Sequence, residues 1–215
     1  MKALWTAAAL LAAIVILPLQ GAQRARLFPP ENLGELEGPD RDAWQRPDQI
    51  MDALSISEAS VVADLGAGGG WFTVRLARRV GPNGRVFAED IQQQMIEAID
   101  RRVQREGLRN VTTKLGTPVD PKLDTKSVDA VLIVDAYHEI EQPVTLLKNV
   151  VKALKPDGVV GIVNFKKDGG GPGPAMEVRV DAEKVIADAQ AAGLELQKRE
   201  NLRYQYLLTF GVPPK

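Results

Sequence analysis

The residues that could do chemistry in this chain stand at the ends of short apolar runs. Val61-Val-Ala-Asp-Leu65 leads into glycines at 66, 68, 69 and 70, and then into Trp71. A buried strand that turns through glycines into a helix lets a ligand approach the main chain closely. The carboxylate of Asp64 suits a ligand with a cationic amino group and a sulfonium, and would repel a pyrophosphate. Asp90 closes a second run, Arg85 to Asp90, where one carboxylate can accept both hydroxyls of a ribose. Asp135-Ala-Tyr-His-Glu139 follows a further, strongly apolar run, Val128 to Val134. His138, the chain's single histidine, is the side chain best suited to act as a general base near neutrality. The plainer alternative is that His138 packs against or caps its own turn. Tyr137 reads as a wall of the same pocket and Glu139 as a solvated acid.

These residues need a frame. Continuous apolar runs alternate with helical patterns between residues 46 and 167, which is the sign of βαβ units and a parallel sheet. The expected strands are Val61–Leu65, Arg85–Asp90, Val111–Leu115, Val128–Val134 and Val159–Phe165. Helices follow from about Gly70 to Val80, around Met95–Val103, and from Pro143 to about Leu154, before a turn at Lys155-Pro-Asp-Gly158. Leu194–Arg199 and Tyr204–Phe210 read as an antiparallel pair, after a helix capped by Asp181. In open parallel sheets the ligand sits beyond the carboxyl ends of the strands, where the glycine turn, Asp90, Gly116-Thr-Pro118, Asp135–Glu139 and Asn164 all collect.

Composition narrows the chemistry. Twenty-eight acids face 27 bases, so no global field draws the 215-residue chain to nucleic acid. The absence of cysteine and the lone histidine exclude thiolate and multi-histidine metal sites. A dinucleotide fingerprint, Gly-x-Gly-x-x-Gly, would start at Gly66 and Gly68 but ends on Trp71, too bulky for close helix–strand packing. The spacing acid-x-Gly-x-Gly-x-Gly fits Asp64, Gly66, Gly68 and Gly70 instead.

Val62-Ala-Asp-Leu-Gly-Ala-Gly-Gly-Gly-Trp-Phe-Thr73 resembles motif one of class I S-adenosylmethionine-dependent methyltransferases. Phe87-Ala-Glu-Asp-Ile91 with Met95 resembles their second-strand motif, and Leu154-Lys-Pro-Asp-Gly158 the turn before their fifth strand. Arg41-Asp-Ala-Trp-Gln45 and Asp135-Ala-Tyr-His-Glu139 are similar to a group of small bacterial methyltransferases. The resemblance implies an α/β, Rossmann-like fold: a mostly parallel seven-stranded sheet with an antiparallel C-terminal strand and helices on both faces. It implies S-adenosyl-L-methionine as cofactor, with Gly66, Ala67, Gly68 and Gly70 along its methionine and ribose portions. Asp64 would orient the methionine end, and Asp90 with Ile91 would hold the ribose. Thr117 stands where the family often carries an acid near the adenine amine. Asp135 would face cofactor or acceptor, and Asp135 and His138 are the expected catalytic residues, acting on a small-molecule acceptor with no metal. A non-catalytic S-adenosylmethionine-binding or scaffold protein is the alternative, and an NAD-linked oxidoreductase a weaker one.

The flanks raise separate questions. Ala3 to Gln23 carries no charge and follows Lys2, a pattern that fits a secretory signal peptide over residues 1–25 or an uncleaved membrane anchor of the same extent. The first reading exports the domain; in the second, Arg24 and Arg26 hold it on the cytoplasmic side. Residues 26–45, rich in proline and glycine, read as an extended linker before the domain at 46–215, with Trp44 as a packing anchor. Asp168-Gly-Gly-Gly-Pro-Gly-Pro174 could be a lid or an inert loop, and Arg179 nearby reads as solvated or, alternatively, as a contact for an anionic acceptor.

Overall fold

A computed structural model of the chain describes residues 27–213. The expected signal peptide or anchor at residues 1–25 lies outside the described residues. Among these, no helix is long and apolar enough to cross a membrane.

In chain order the main elements are α1 (Arg41–Gln45), α2 (Pro47–Ala53), β1 (Val61–Leu65), α3 (Trp71–Val80), β2 (Arg85–Asp90), α4 (Gln93–Arg105), β3 (Val111–Leu115), β4 (Val128–Val134), α5 (Pro143–Ala153), β5 (Leu154–Phe165), α6 (Ala182–Ala191), β6 (Glu195–Asn201) and β7 (Gln205–Gly211). The seven strands form one sheet in the order β3-β2-β1-β4-β5-β7-β6. β1 to β5 pair in parallel; β7 runs antiparallel to both β5 and β6. This is the Rossmann-like methyltransferase architecture that the resemblance implies. The order reverses beside β1, so β1 and β4 diverge there and open a crevice at their carboxyl ends.

Alternation along the central strands feeds two cores. Ala63, Leu65, Val131, Ile133, Val160 and Ile162 pack with Leu147, Val150, Val185 and Ala189 of α5 and α6. Val62, Val86, Ala130, Leu132 and Val163 face Ile50, Phe72, Leu76 and Val80 of α2 and α3. Burial on both faces explains why these strands read as unbroken apolar runs.

Three sequence expectations change. Lys155–Gly158 does not stand apart as a turn but runs into β5, with the β4–β5 register shifting between Val128 and Ala130. Asp181 does hold the cap position of α6, but its side chain makes no capping bond and pairs with Lys167 at 3.0 Å. Residues 27–45 are not an extended linker: Pro30–Leu36 form a 3-10 helix and Arg41–Gln45 are α1. Leu33 and Leu36, one turn apart, place their side chains over Gly69 and Gly68, and the ion pair of Glu37 with Arg102 of α4 (2.5 Å) fixes the segment. Apolar packing at that spacing overrides the extended bias of Pro29 and Pro30.

Candidate active site

The crevice beyond β1 and β4 is a cavity of about 560 Å³, within the range of small-molecule sites of roughly 300–1,000 Å³. Its floor is the glycine turn. Gly66, Gly68 and Gly70 all have positive φ, at 67°, 55° and 77°. At Gly66 a side chain would also strike the Cβ of Ala136, 2.6 Å away, so the turn can lie against the β4 loop only as glycine.

Asp90 fastens this turn to β2. Its Oδ2 accepts the N–H of Gly68 at 3.0 Å, and its Oδ1 accepts the N–H of Gln92, also at 3.0 Å. Each oxygen keeps a lone pair, and the carboxylate lines the cavity. Glu89, which sequence reasoning missed, lines it too and is buried. Burial, then the neighbouring Asp90, push its carboxyl up to about 8. A Cβ at Gly116 would fall 1.7 Å from Glu89 Oε1, so the glycine after β3 makes room for this acid.

Asp64 is buried, and its Oδ2 accepts the hydroxyl of Thr73 on α3 at 2.6 Å. Burial raises its pKa to about 6. Across the cavity the Asp135 carboxylate receives Gln205 Nε2 at 2.6 and 2.8 Å, while Gln205 Oε1 accepts Gln45 Nε2 at 2.8 Å. Asp135 stands at φ 56°, a strained setting for a non-glycine residue, and burial pushes its carboxyl up to about 7. Between the two acids sits Arg41, held by Gln45 Oε1 at 3.0 Å and the Leu36 carbonyl at 2.5 Å. Its guanidinium lies 4.2 Å from the centre of the Trp71 ring; Arg75 lies 3.4 Å from the same ring and ion-pairs with Asp42 at 2.8 Å. Arg41, Gln45 and Gln205 were not expected at the site: Arg41–Gln45 stood out only through its resemblance and read as the end of a linker, and Gln205 read as part of a strand.

His138 lines the cavity, and burial lowers its pKa, leaving a neutral imidazole near neutrality. Its Nε2 is 3.7 Å from Glu139 Oε1. Glu139 is not solvated: it lines the cavity and accepts the N–H of Phe28 at 2.9 Å, and burial raises it to about 7. Tyr137 is not a pocket wall; its hydroxyl donates to Asp188 of α6 at 3.0 Å. Thr117 reaches the cavity, but its Oγ1 already accepts the N–H of Asp120 at 3.0 Å. Arg179 is buried rather than solvated and donates to the carbonyls of Pro174, Lys166 and Gly170 at 2.8–2.9 Å, pinning the glycine-rich loop. Trp44 packs on Phe165, ring centres 5.6 Å apart, and also faces the cavity. Of the expected cofactor residues, Asp64, Gly66, Ala67, Gly68, Asp90, Ile91, Thr117 and Asp135 converge on this one space. Gly70 instead begins α3 behind it, packed against Ile99.

These residues fit S-adenosylmethionine. Asp90 offers lone pairs for ribose hydroxyls, Asp64 and Asp135 offer carboxylates for the amino group and sulfonium, and Arg41 offers a cation for the carboxylate. Among the described residues, no group of three or more potential ligands is placed to hold a metal ion.

Comparison with known proteins agrees. Residues 62–158 match a family model described as a methyltransferase domain. A demethylmenaquinone methyltransferase of Lactobacillus johnsonii is 28% identical over 57% of this chain and 50% of its own. An uncharacterized methyltransferase of Mycobacterium bovis is 35% identical over 57% of this chain and 46% of its own. The chain thus spans about half the length of the curated relatives it matches. A crystal structure of a SAM-dependent methyltransferase from Aquifex aeolicus superimposes with a TM-score of 0.83, at 24% identity, covering 87% of this chain and all of that one; at that identity the likeness speaks for the fold. Residues 62–158 are thus similar to a methyltransferase domain, and the sheet carries the Rossmann-like methyltransferase fold.

Proposed function

We propose that the protein transfers the methyl group of S-adenosylmethionine to a small apolar acceptor bound in the outer half of the cavity. The observation that carries this is the Asp90 clamp. One carboxylate fixes the main chain of the glycine turn and faces the same cavity as Asp135 and His138.

Bound S-adenosylmethionine supplies an electrophilic methyl group on a sulfonium. The protein's part is to hold the reacting partners in line and keep water out. Arg41 anchors the carboxylate of the cofactor's amino-acid end, and Asp90 holds the ribose. His138, neutral and at the cavity wall, takes the acceptor's proton at a ring nitrogen where the nucleophile is a hydroxyl or an acidic carbon. Asp135 lines the same cavity, oriented by Gln205. The relatives named demethylmenaquinone methyltransferases support an acceptor of the quinol class, whose ring carbon is such a nucleophile.

Isothermal titration with S-adenosylhomocysteine and with NAD tests the cofactor: binding of the first is expected, and binding of NAD alone would sink the reading. Labelled-methyl transfer to a reduced naphthoquinol then separates an enzyme from a binding scaffold.

A further inference from the structure

The cavity follows the order of the strands. Arg41, Asp64 and Asp135 gather where β1 and β4 end, and Asp90 closes β2. With the amino-acid end of S-adenosylmethionine at the first group and the ribose at Asp90, the base hangs from the far side of the ribose. It therefore extends toward β3, the next strand in the sheet. There the cavity is walled by Glu89 and Ile91 at the end of β2 and by Thr117 and Pro118 beyond β3.

Most polar side chains at this end are engaged within the fold. The Thr117 hydroxyl donates to the Asp120 carbonyl at 3.3 Å and accepts the Asp120 N–H at 3.0 Å. Gln92 gives its amide N–H to the Phe28 carbonyl at 3.0 Å. Glu89 is different. It is only 4% exposed, and Lys114, its register partner on β3, turns instead to the Lys122 carbonyl at 3.0 Å. What faces the Glu89 carboxyl are three more acids, Asp90 on its own strand, Asp64 on β1 and Asp120 in the loop after β3, together with the Gly66 N–H.

The fold makes room for this acid without sealing it off. A Cβ on Gly116 would overlap the Glu89 carboxyl, yet the side chain still lines the cavity. Buried polar groups are normally paired, and leaving one unpaired costs stability. Even with the Gly66 N–H on one oxygen, the acid form keeps a proton to donate and lone pairs to accept with. Burial, then the neighbouring Asp90, push this carboxyl up to about 8, so the proton stays on near neutrality. A neutral carboxyl offers an acceptor and a donor side by side. Adenine presents the complementary pair, an exocyclic amine beside a ring nitrogen.

We infer that Glu89 selects the base of the cofactor, its carboxyl accepting the exocyclic amine of adenine and donating to the ring nitrogen beside it. The inference rests on the methyltransferase reading above, which puts the ribose at Asp90, and adds the residue that tells S-adenosylmethionine from analogues with another base. Thr117, expected near the adenine amine, instead holds the loop after β3 through its bonds to Asp120. Gly116, just before it, leaves the space that Glu89 fills. An ionised carboxylate would meet the lone pair of the ring nitrogen with its own charge, so loss of the proton weakens the contact.

The test is calorimetric titration of the full chain at pH 7 with S-adenosylhomocysteine and with its purine analogue, which lacks the 6-amino group. The parent protein is expected to bind the amine-free analogue roughly tenfold more weakly. Glu89→Leu should lower affinity for S-adenosylhomocysteine by a similar factor and bind the two ligands alike, the coupling that a double-mutant cycle isolates. Glu89→Gln keeps an acceptor and a donor and should keep the preference. Between pH 7 and pH 9 the parent should lose about tenfold in affinity for S-adenosylhomocysteine beyond any loss in Glu89→Gln, because only the acid form makes both bonds. Asp135 and Glu139, which also titrate in this cavity, are common to both proteins. Equal binding of the two ligands by the parent, a preference that survives in Glu89→Leu, or the same pH dependence in the parent and Glu89→Gln overturns the inference. Where Glu89→Leu fails to fold, the ligand pair on the parent and the pH comparison decide. No binding of S-adenosylhomocysteine by the parent fails the methyltransferase reading itself, which keeps the two failures distinct.

Discussion

The side-chain amide of Gln205 donates to both carboxylate oxygens of Asp135, at 2.6 and 2.8 Å, from a strand that runs antiparallel to its neighbours. β7 therefore does more than complete the sheet. It delivers, 70 residues later in the chain, the group that orients the acid after β4. Gln45 closes the relay from the N-terminal side, so three distant segments meet at one carboxylate.

Removing the relay should cost stability and move a titration. Gln205→Leu removes both Gln205 bonds to the buried Asp135 carboxylate and the acceptor of Gln45 Nε2, a loss of about 1–3 kcal/mol. Urea unfolding should register it. Gln205 holds the Asp135 pKa down against burial, so the variant's pH–rate profile should also shift to the alkaline side. An unmoved profile would detach Asp135 from the reaction.

Asp90 ties the turn and lines the cavity; the proposed function has it hold the ribose. Asp90→Ala should weaken S-adenosylhomocysteine binding by roughly 10- to 100-fold, in line with hydrogen bonds to a charged group worth about 1.5–3 kcal/mol. Calorimetric affinity equal to that of the parent would refute the assignment.

Arg41 can be tested with two ligands that differ only at the amino-acid end. Arg41→Ala should lower affinity for S-adenosylhomocysteine about tenfold or more. Affinity for 5′-methylthioadenosine, which has no carboxylate, should hardly change. A parallel loss for both ligands would instead mean that Arg41 supports the fold of the N-terminal segment.

His138→Ala should spare cofactor binding and slow turnover by about 10²–10⁴-fold, the usual share of a positioned acid–base group. A single-turnover measurement with saturating cofactor separates the two. Intact turnover would leave His138 a packing residue.

Glu89 supplies a pH test of the apo fold. Its pKa is raised to about 8 in the folded state, against roughly 4.3 unfolded, so the folded form binds its proton more tightly. Between those values stability falls as pH rises; below about 4 the effect vanishes, and above about 8 the cost is complete. Asp135 and Glu139, both near 7, add slope in the same direction. Urea midpoints should therefore be lower at pH 8.5 than at pH 6, and Glu89→Gln should flatten the difference. A midpoint rising across that interval would contradict the burial of these acids.

The frame of this site could be read from sequence because both faces of the central strands are covered. Arg85–Asp90, Val111–Leu115 and Val128–Val134 have the expected limits, and the glycine turn and Asp90 come together on one cavity. What stayed hidden was tertiary. Gln205 carries no local signal that it reaches Asp135, and Glu89 declares itself only through the space that Gly116 leaves for it. Residues 27–45 look like a spacer because their proline and glycine content describes the free chain. Leu33, Leu36 and Arg41 take their role from surfaces they meet only once folded.

Trp71 stands where a dinucleotide-binding turn would need glycine, and its ring lies against the guanidinium groups of Arg41 and Arg75. Position 71 is thus bound to two others, 30 residues before it and 4 after it. A change at any one of the three alters the contacts of the others. A smaller residue at 71 would take away the platform under Arg41, and loss of Arg41 would bare an indole at the cavity. Relatives are expected to keep the trio whole or to have replaced it whole, so the pattern of joint substitution across them would record when this N-terminal segment joined the cofactor site.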